Sequence, residues 1–190
     1  MLTVNKLIPQ GHGLAPVLLK RATTVALDWD KRQRSRFDAQ DAQGEAIGVF
    51  LPRGSVVRGG DVLVAADGSL LKVVASPQPV MVVRPCPDHG SPFDLLRAAY
   101  HLGNRHVQLE LQPNRLQLEP DHVLADMLRQ MHLVVTEERA PFEPEAGAYA
   151  AAAAHGHHGH EHGSPAAHDH GHAKDHGRAH VHGPGCKHDH

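Results

Sequence analysis

From His155 to His190 the chain is built almost entirely of histidine, glycine, alanine and charged residues, with Val181 as its only large aliphatic side chain. A segment of this kind cannot offset the ordering entropy of its backbone by burying apolar surface. Residues 146–190 are therefore expected to be a disordered tail in the absence of metal. Folding must be confined to the residues before it, which leaves room for two small domains.

The pattern up to Ala75 is short and strand-like. Leu2 to Ile8 alternates loosely, Thr23 to Leu27 is β-branched, and Ile47 to Leu51 is an apolar run bounded by Gly44 and Pro52-Arg53-Gly54. Val62 to Ala66 and Leu70 to Val74 flank Asp67-Gly68, a pair that readily adopts the positive φ angles of a two-residue hairpin turn. Residues 1–75 are read as a small all-β domain. Within it, Lys31-Arg32-Gln33-Arg34-Ser35-Arg36 is a basic cluster, read as a solvated loop or strand edge rather than a docking site for an acidic partner.

After the Pro-containing link around Ala75 to Pro79 the periodicity changes. Val80 to Val83 is an apolar strand. Ser91-Pro92 is an N-cap followed by proline at the first helical position, with Asp94 at the positive end of the helix dipole. Phe93, Leu96 and Tyr100 recur at helical spacing, and Gly103 is placed to end the helix in the left-handed conformation. Val107 to Leu111 and Leu116 to Leu118 flank a turn at Pro113-Asn114. Pro120-Asp121 opens a second helix with a stripe of Leu124, Met127, Leu128 and Met131, and Leu133 to Thr136 is a last strand. The order β-α-β-β-α-β is the ferredoxin-like arrangement, so residues 76–145 are read as a second domain and the fold class as α+β. Pro141 to Tyr149 is expected to leave that domain.

Lys plus Arg (19) nearly balances Asp plus Glu (21), so no broad field exists to grip a polyanion, and neither nucleic acid nor a membrane is an expected partner. The first ten residues carry no basic segment followed by an apolar core, and no run approaches the ~18 apolar residues of a membrane span. A cytoplasmic location is expected. The two cysteines, Cys86 and Cys186, form no disulfide framework and no zinc-finger spacing. Cys86 is read as a thiol in a linker or at a strand end, and Cys186 as a solvated bystander ahead of a soft ligand.

Thirteen of the 19 histidines lie in the tail: His155, His157, His158, His160, His162, His168, His170, His172, His176, His180, His182, His188 and His190. Neutral imidazole binds zinc, copper and nickel, and the intervening glycines let the chain wrap round an ion. A purification tag is not indicated, because Glu161, Asp169, Asp175 and Asp189 interrupt the run. The composition does not choose the metal, since affinity for such ligands rises through nickel to copper for any protein. Metal and protons compete for imidazole, so binding should weaken below about pH 6.5. In the folded part, His101 on the first helix and His106 just past it can face one side of the domain end, but on spacing alone each reads as an ordinary surface or hydrogen-bonded histidine. His122, in the first turn of the second helix, divides equally between ligand and solvated side chain. His12, His89 and His132 are read as structural.

Three stretches together resemble the UreE family of urease accessory nickel chaperones: Tyr100-His101-Leu102-Gly103-Asn104-Arg105-His106-Val107, then Asp121-His122-Val123-Leu124-Ala125-Asp126-Met127-Leu128, then Pro141-Phe142-Glu143-Pro144-Glu145-Ala146-Gly147-Ala148-Tyr149. The resemblance extends to Leu51-Pro52-Arg53-Gly54, Gly60-Asp61 and the tail, and so covers essentially the whole chain. It implies a homodimer in which His106 of each protomer meets its copy at the two-fold axis and the pair binds one Ni(II), with tail histidines completing the shell; Zn(II) or Cu(II) would compete. It implies peripheral sites at His101 and His122, although Pro120 stands where some relatives carry a further histidine. It also implies that the first domain docks on another urease maturation protein, that the partners are apo-urease and accessory proteins including a GTPase, and that the chain is no enzyme.

Two competing functions follow from the residues themselves. In a metal-buffering protein the tail would be the functional part. A zinc hydrolase using His101 and His106 would need three ligands and a general base, and neither a His-Glu-x-x-His pattern nor a nucleophile elbow occurs.

Overall fold

The chain is described by a computed structural model over residues 1–147. The first half forms a six-stranded sheet in the order β2-β6-β5-β1-β4-β3, from β1 (Leu2–Ile8), β2 (Thr23–Leu27), β3 (Arg36–Gln40), β4 (Ala46–Phe50), β5 (Val62–Ala65) and β6 (Leu70–Ala75). Two short helices, α1 (Pro16–Arg21) and α2 (Trp29–Arg32), accompany it. Alternate residues of the strands point inward, so Val4, Val25, Ile47, Val49, Leu63, Leu71 and Val73 close one core. The β5–β6 connection differs from the expected two-residue turn. Ala65 N–H donates to the Ser69 carbonyl at 2.9 Å and Gly68 N–H to the Ala65 carbonyl at 3.0 Å, and in this loop only Gly68 has positive φ (89°). This is a three-residue loop with glycine at the left-handed position.

The second half runs β7 (Gln78–Pro85), α3 (Pro92–Gly103), β8 (Glu110–Gln112), β9 (Arg115–Leu118), α4 (His122–Gln130) and β10 (Leu133–Ala140), with sheet order β10-β7-β9-β8 and every neighbour antiparallel. That is the ferredoxin-like α+β topology. Val107 to Leu109, expected to begin a strand, are not paired in the sheet; β8 starts only at Glu110. Both helices lie on one face of the sheet and bury Leu95, Ala98, Leu102, Ala125 and Leu128 against Met81, Val83, Leu116, Leu118 and Leu133. Emptying a fully buried position such as Leu102 would cost about 2–5 kcal/mol.

The apolar stripe expected to anchor α3 faces the other way. Phe93, Leu96 and Tyr100 are 66%, 67% and 71% exposed, while Leu95, Ala98 and Leu102 meet the sheet. The helix therefore carries apolar residues on two faces, one of them open. Its start is as expected: the Asp94 carboxylate accepts from the Ser91 backbone N–H at 2.9 Å and from the Ser91 hydroxyl at 2.8 Å. Asp121 caps α4, accepting from Val123 N–H and Leu124 N–H at 2.8 and 2.9 Å.

Two further expectations are corrected at the junction of the sheets. Arg32 is not solvated but fully buried, stacked 5.1 Å from the Trp29 ring centroid. Residues Pro141 to Glu145 do not leave the domain. They form a strap held from both sides: Arg32 donates to the Phe142 carbonyl and to Glu143, Arg58 to the Pro144 carbonyl, and Gly59 N–H to Glu143. From the second sheet, Gln117 donates to the Pro141 carbonyl, while Glu143 N–H donates to Glu110 and Glu145 N–H to the Leu109 carbonyl. Trp29, Val80, Val82 and Phe142 form a small third core beneath the strap. Among the described residues no helix is long and apolar enough to cross a membrane.

Candidate metal centre

The α3 C-terminus differs from the expectation in an informative way. Gly103 has an ordinary helical φ, and the left-handed residue is His106, at φ 58°. Val107 N–H donates to the Leu102 carbonyl at 3.1 Å and His106 N–H to the Gly103 carbonyl at 2.9 Å. These are the two hydrogen bonds of a Schellman motif, in which the C′ residue is usually glycine. Val107 packs against the same core cluster that Leu102 belongs to, as the apolar residue after such a cap commonly does. A side chain in the left-handed region costs about 1 kcal/mol or more, so histidine stands here against local backbone preference, as Gln10 and His132 do elsewhere in the chain.

The motif aims an exposed imidazole outward at the end of α3, where the helix dipole favours positive charge. One side of His106 opens onto a cleft shared with Glu119, Asp121 and Leu124. The other opens onto a shallow apolar depression with Ala99, Gly103 and Leu111. Tyr100 and Leu96 lie one and two turns back from Gly103, on the same side of the helix, so the open apolar stripe of α3 leads up toward the helix end that His106 follows. Among the described residues no set of three ligand-type side chains includes His106, and Leu96, Tyr100 and Leu111 leave apolar surface uncovered.

His101 is exposed in the last turn of α3, edge-on to the Tyr100 ring at 5.5 Å between centroids. His122 is exposed at the first position of α4. His101, His106 and His122 do not gather into one ligand set. The only group of three ligand-type side chains converging among the described residues is Cys86, Asp88 and His89, which the sequence reading treated as a strand-end thiol and loop residues. The signal that could have found it is the spacing Cys-x-Asp-His within one loop. His155, His157, His158, His160, His162, His188 and His190, with the other tail histidines, lie outside the described residues.

Comparison with known proteins agrees with this architecture. Residues 4–76 match the family described as UreE urease accessory protein, N-terminal domain, and residues 78–172 match UreE urease accessory protein, C-terminal domain. A protein of Albidiferax ferrireducens named urease accessory protein UreE is 63% identical over 190 residues, the full length of both chains. Proteins of the same name from Methylibium petroleiphilum and Paracidovorax citrulli are 78% and 74% identical over 82% and 80% of this chain, and over 72% of their own length.

Proposed function

Because this chain belongs to the UreE family of urease accessory proteins, we propose that it is a nickel metallochaperone that delivers Ni(II) to apo-urease while the urease metallocentre is assembled. Accessory proteins of this family are not enzymes, and the chain acts on its cargo by holding and releasing it. The reading rests above all on His106: an exposed imidazole, held in a left-handed cap at the end of the helix whose Leu96 and Tyr100 are uncovered. In a two-fold homodimer each His106 would face its copy, so one residue per chain supplies two ligands to a single ion. The apolar stripe of α3 would supply the interface.

Two fixed imidazoles cannot complete a nickel shell. The tail, with His155, His157, His158, His160, His162, His188 and His190, would supply mobile ligands, which suits stepwise exchange to an acceptor better than storage. His101 and His122 would hold peripheral ions. Zn(II) and Cu(II) would compete, since imidazole does not exclude them. In the cytoplasm the acceptors would be apo-urease and the other accessory proteins, including the GTPase, docked on the first domain.

Calorimetric titration with Ni(II) of the full chain, of a chain ending at Tyr149, and of His106→Ala in each background tests this. The shortened chain should remain dimeric and bind about one ion per dimer, and His106→Ala should remove that ion. Tight binding retained by the shortened His106→Ala chain would exclude the axial site. The tail favours a second reading, a metal buffer. Under that reading, removing the residues after Tyr149 should abolish both metal binding and urease activation in cells grown on limiting nickel.

A further inference from the structure

We propose that Cys86, Asp88 and His89 form a separate metal site for one Zn(II)-class ion, at the end of the ferredoxin-like domain opposite His106. The loop after β7 brings one sulfur, one carboxylate oxygen and one imidazole nitrogen all within 4.8 Å of one another. Cys86 Sγ stands 4.0 Å from His89 Nδ1. Tetrahedral zinc, with bonds of about 2.3 Å to sulfur and 2.0 Å to nitrogen, requires about 3.5 Å between those atoms. Half an ångström of side-chain rotation closes the sulfur–nitrogen gap and up to about 1.5 Å brings in the carboxylate, and all three side chains have room to move, because Asp88 and His89 are exposed and Cys86 is half-buried.

The loop is rigidly tied. Cys86 N–H donates to the His132 carbonyl at 3.0 Å, and Gly90 N–H to the Cys86 carbonyl at 2.8 Å. A Cβ at residue 90 would stand 2.3 Å from the Cys86 nitrogen and 2.8 Å from the His132 carbonyl oxygen, so only glycine allows this winding. His132 itself takes a left-handed φ of 60° to present that carbonyl. The winding turns the amides of Asp88 and His89 toward the sulfur. Together with the His89 ring, the largest contributor, they hold the Cys86 thiol below its usual range. Amides directed at a sulfur favour the thiolate, the form that binds metal.

The donor set selects the ion. One thiolate, one imidazole and one carboxylate with a position left open is a composition zinc accepts, whereas a hard oxygen ligand is foreign to Cu(I). The site cannot share an ion with His106 of the same chain. The loop adjoins the N-terminus of α3 and His106 follows its C-terminus, and the 12 residues between them span about 18 Å.

Co(II) reports on such a site through thiolate-to-metal charge transfer in the near ultraviolet. In full-length Cys186→Ser protein, where Cys86 is the only thiol, that band should saturate at about one Co(II) per chain and be bleached by Zn(II). Cys86→Ser should abolish it. His89→Ala and Asp88→Asn should each weaken Co(II) binding by about tenfold or more, and His106→Ala should leave the band unchanged. Absence of the band in Cys186→Ser protein overturns the proposal. So does a band that survives both His89→Ala and Asp88→Asn at full affinity, because Cys86 would then be bound through tail histidines instead. Zn(II) should also slow alkylation of Cys86, and equal rates with and without Zn(II) would count against the site.

Discussion

Arg32 Nη1 lies 2.5 Å from Glu143 Oε1, across 111 residues of chain, and joins the helix before β3 to the strap after β10. Burial lowers the pKa of the guanidinium and the Glu143 carboxylate pulls it back up, so the charge is tolerable only because its partner is present. The same carboxylate accepts from Gly59 N–H at 2.8 Å, where a Cβ on residue 59 would crowd it. Glu143→Ala should therefore lower unfolding stability by about 2–4 kcal/mol, measured by urea denaturation. A cycle with Arg32→Met should show a coupling energy of about 1.5–3 kcal/mol. Additive losses would mean that the two residues act independently.

His106→Gly separates the backbone's preference from the metal's. Glycine occupies the left-handed cap without strain, so the variant should unfold at a higher temperature than the parent in metal-free buffer, by the equivalent of about 1 kcal/mol. His106→Ala should bring no such gain. Both should lose the axial ion. Differential scanning calorimetry beside nickel titration makes the comparison, and a destabilised His106→Gly would contradict the geometry of the cap.

Leu96 and Tyr100 expose apolar surface that a dimer would cover. Leu96→Asp or Tyr100→Glu should shift sedimentation from dimer to monomer and weaken nickel binding together, because each would separate the two His106 side chains. Neither touches the domain core, so circular dichroism and thermal unfolding of the monomer should change little.

The Ser91 hydroxyl, followed by the Ser91 amide, holds the Asp94 carboxyl below its ordinary range. A depressed folded-state pKa contributes stability above the unfolded value of about 3.9 and loses it as the pH falls through the folded value. Asp94→Asn should thus melt below the parent at pH 7, and the gap should close as the solution is acidified below about pH 4. A gap that stays constant with pH would mean the charge plays no part in the cap.

Much of this architecture was legible in the residues because its signals are local. Ser91-Pro92, Asp121 and the apolar runs of β7 and β10 depend on neighbours within a few positions. What escaped was set by contacts distant in sequence. The basic cluster at Arg32 reads as solvated until Glu143 and the Phe142 carbonyl arrive from the other end of the domain. On α3, Phe93, Leu96 and Tyr100 have the same spacing as Leu95, Ala98 and Leu102, and periodicity cannot say which stripe meets the sheet; the smaller Ala98 permits the closer approach. The expected left-handed cap at Gly103 followed glycine's general preference, whereas the two hydrogen bonds from residues 106 and 107 place it on histidine. Residue spacing alone does not separate His106 from His101; the family resemblance and the left-handed backbone at residue 106 do. The spacing Cys-x-Asp-His puts three ligand types in one loop, but their convergence depends on the His132 carbonyl, 46 residues away.

The edge-on contact of Trp29 with Phe142, 6.2 Å between ring centroids, lies in a core to which both halves of the chain contribute. A protease cutting the short link between Ala75 and Gln78 would therefore not release two independent pieces. The fragments would stay clasped through Trp29, Arg32 and the strap, and the nicked protein would behave as a complemented pair whose association reports on the strength of that clasp.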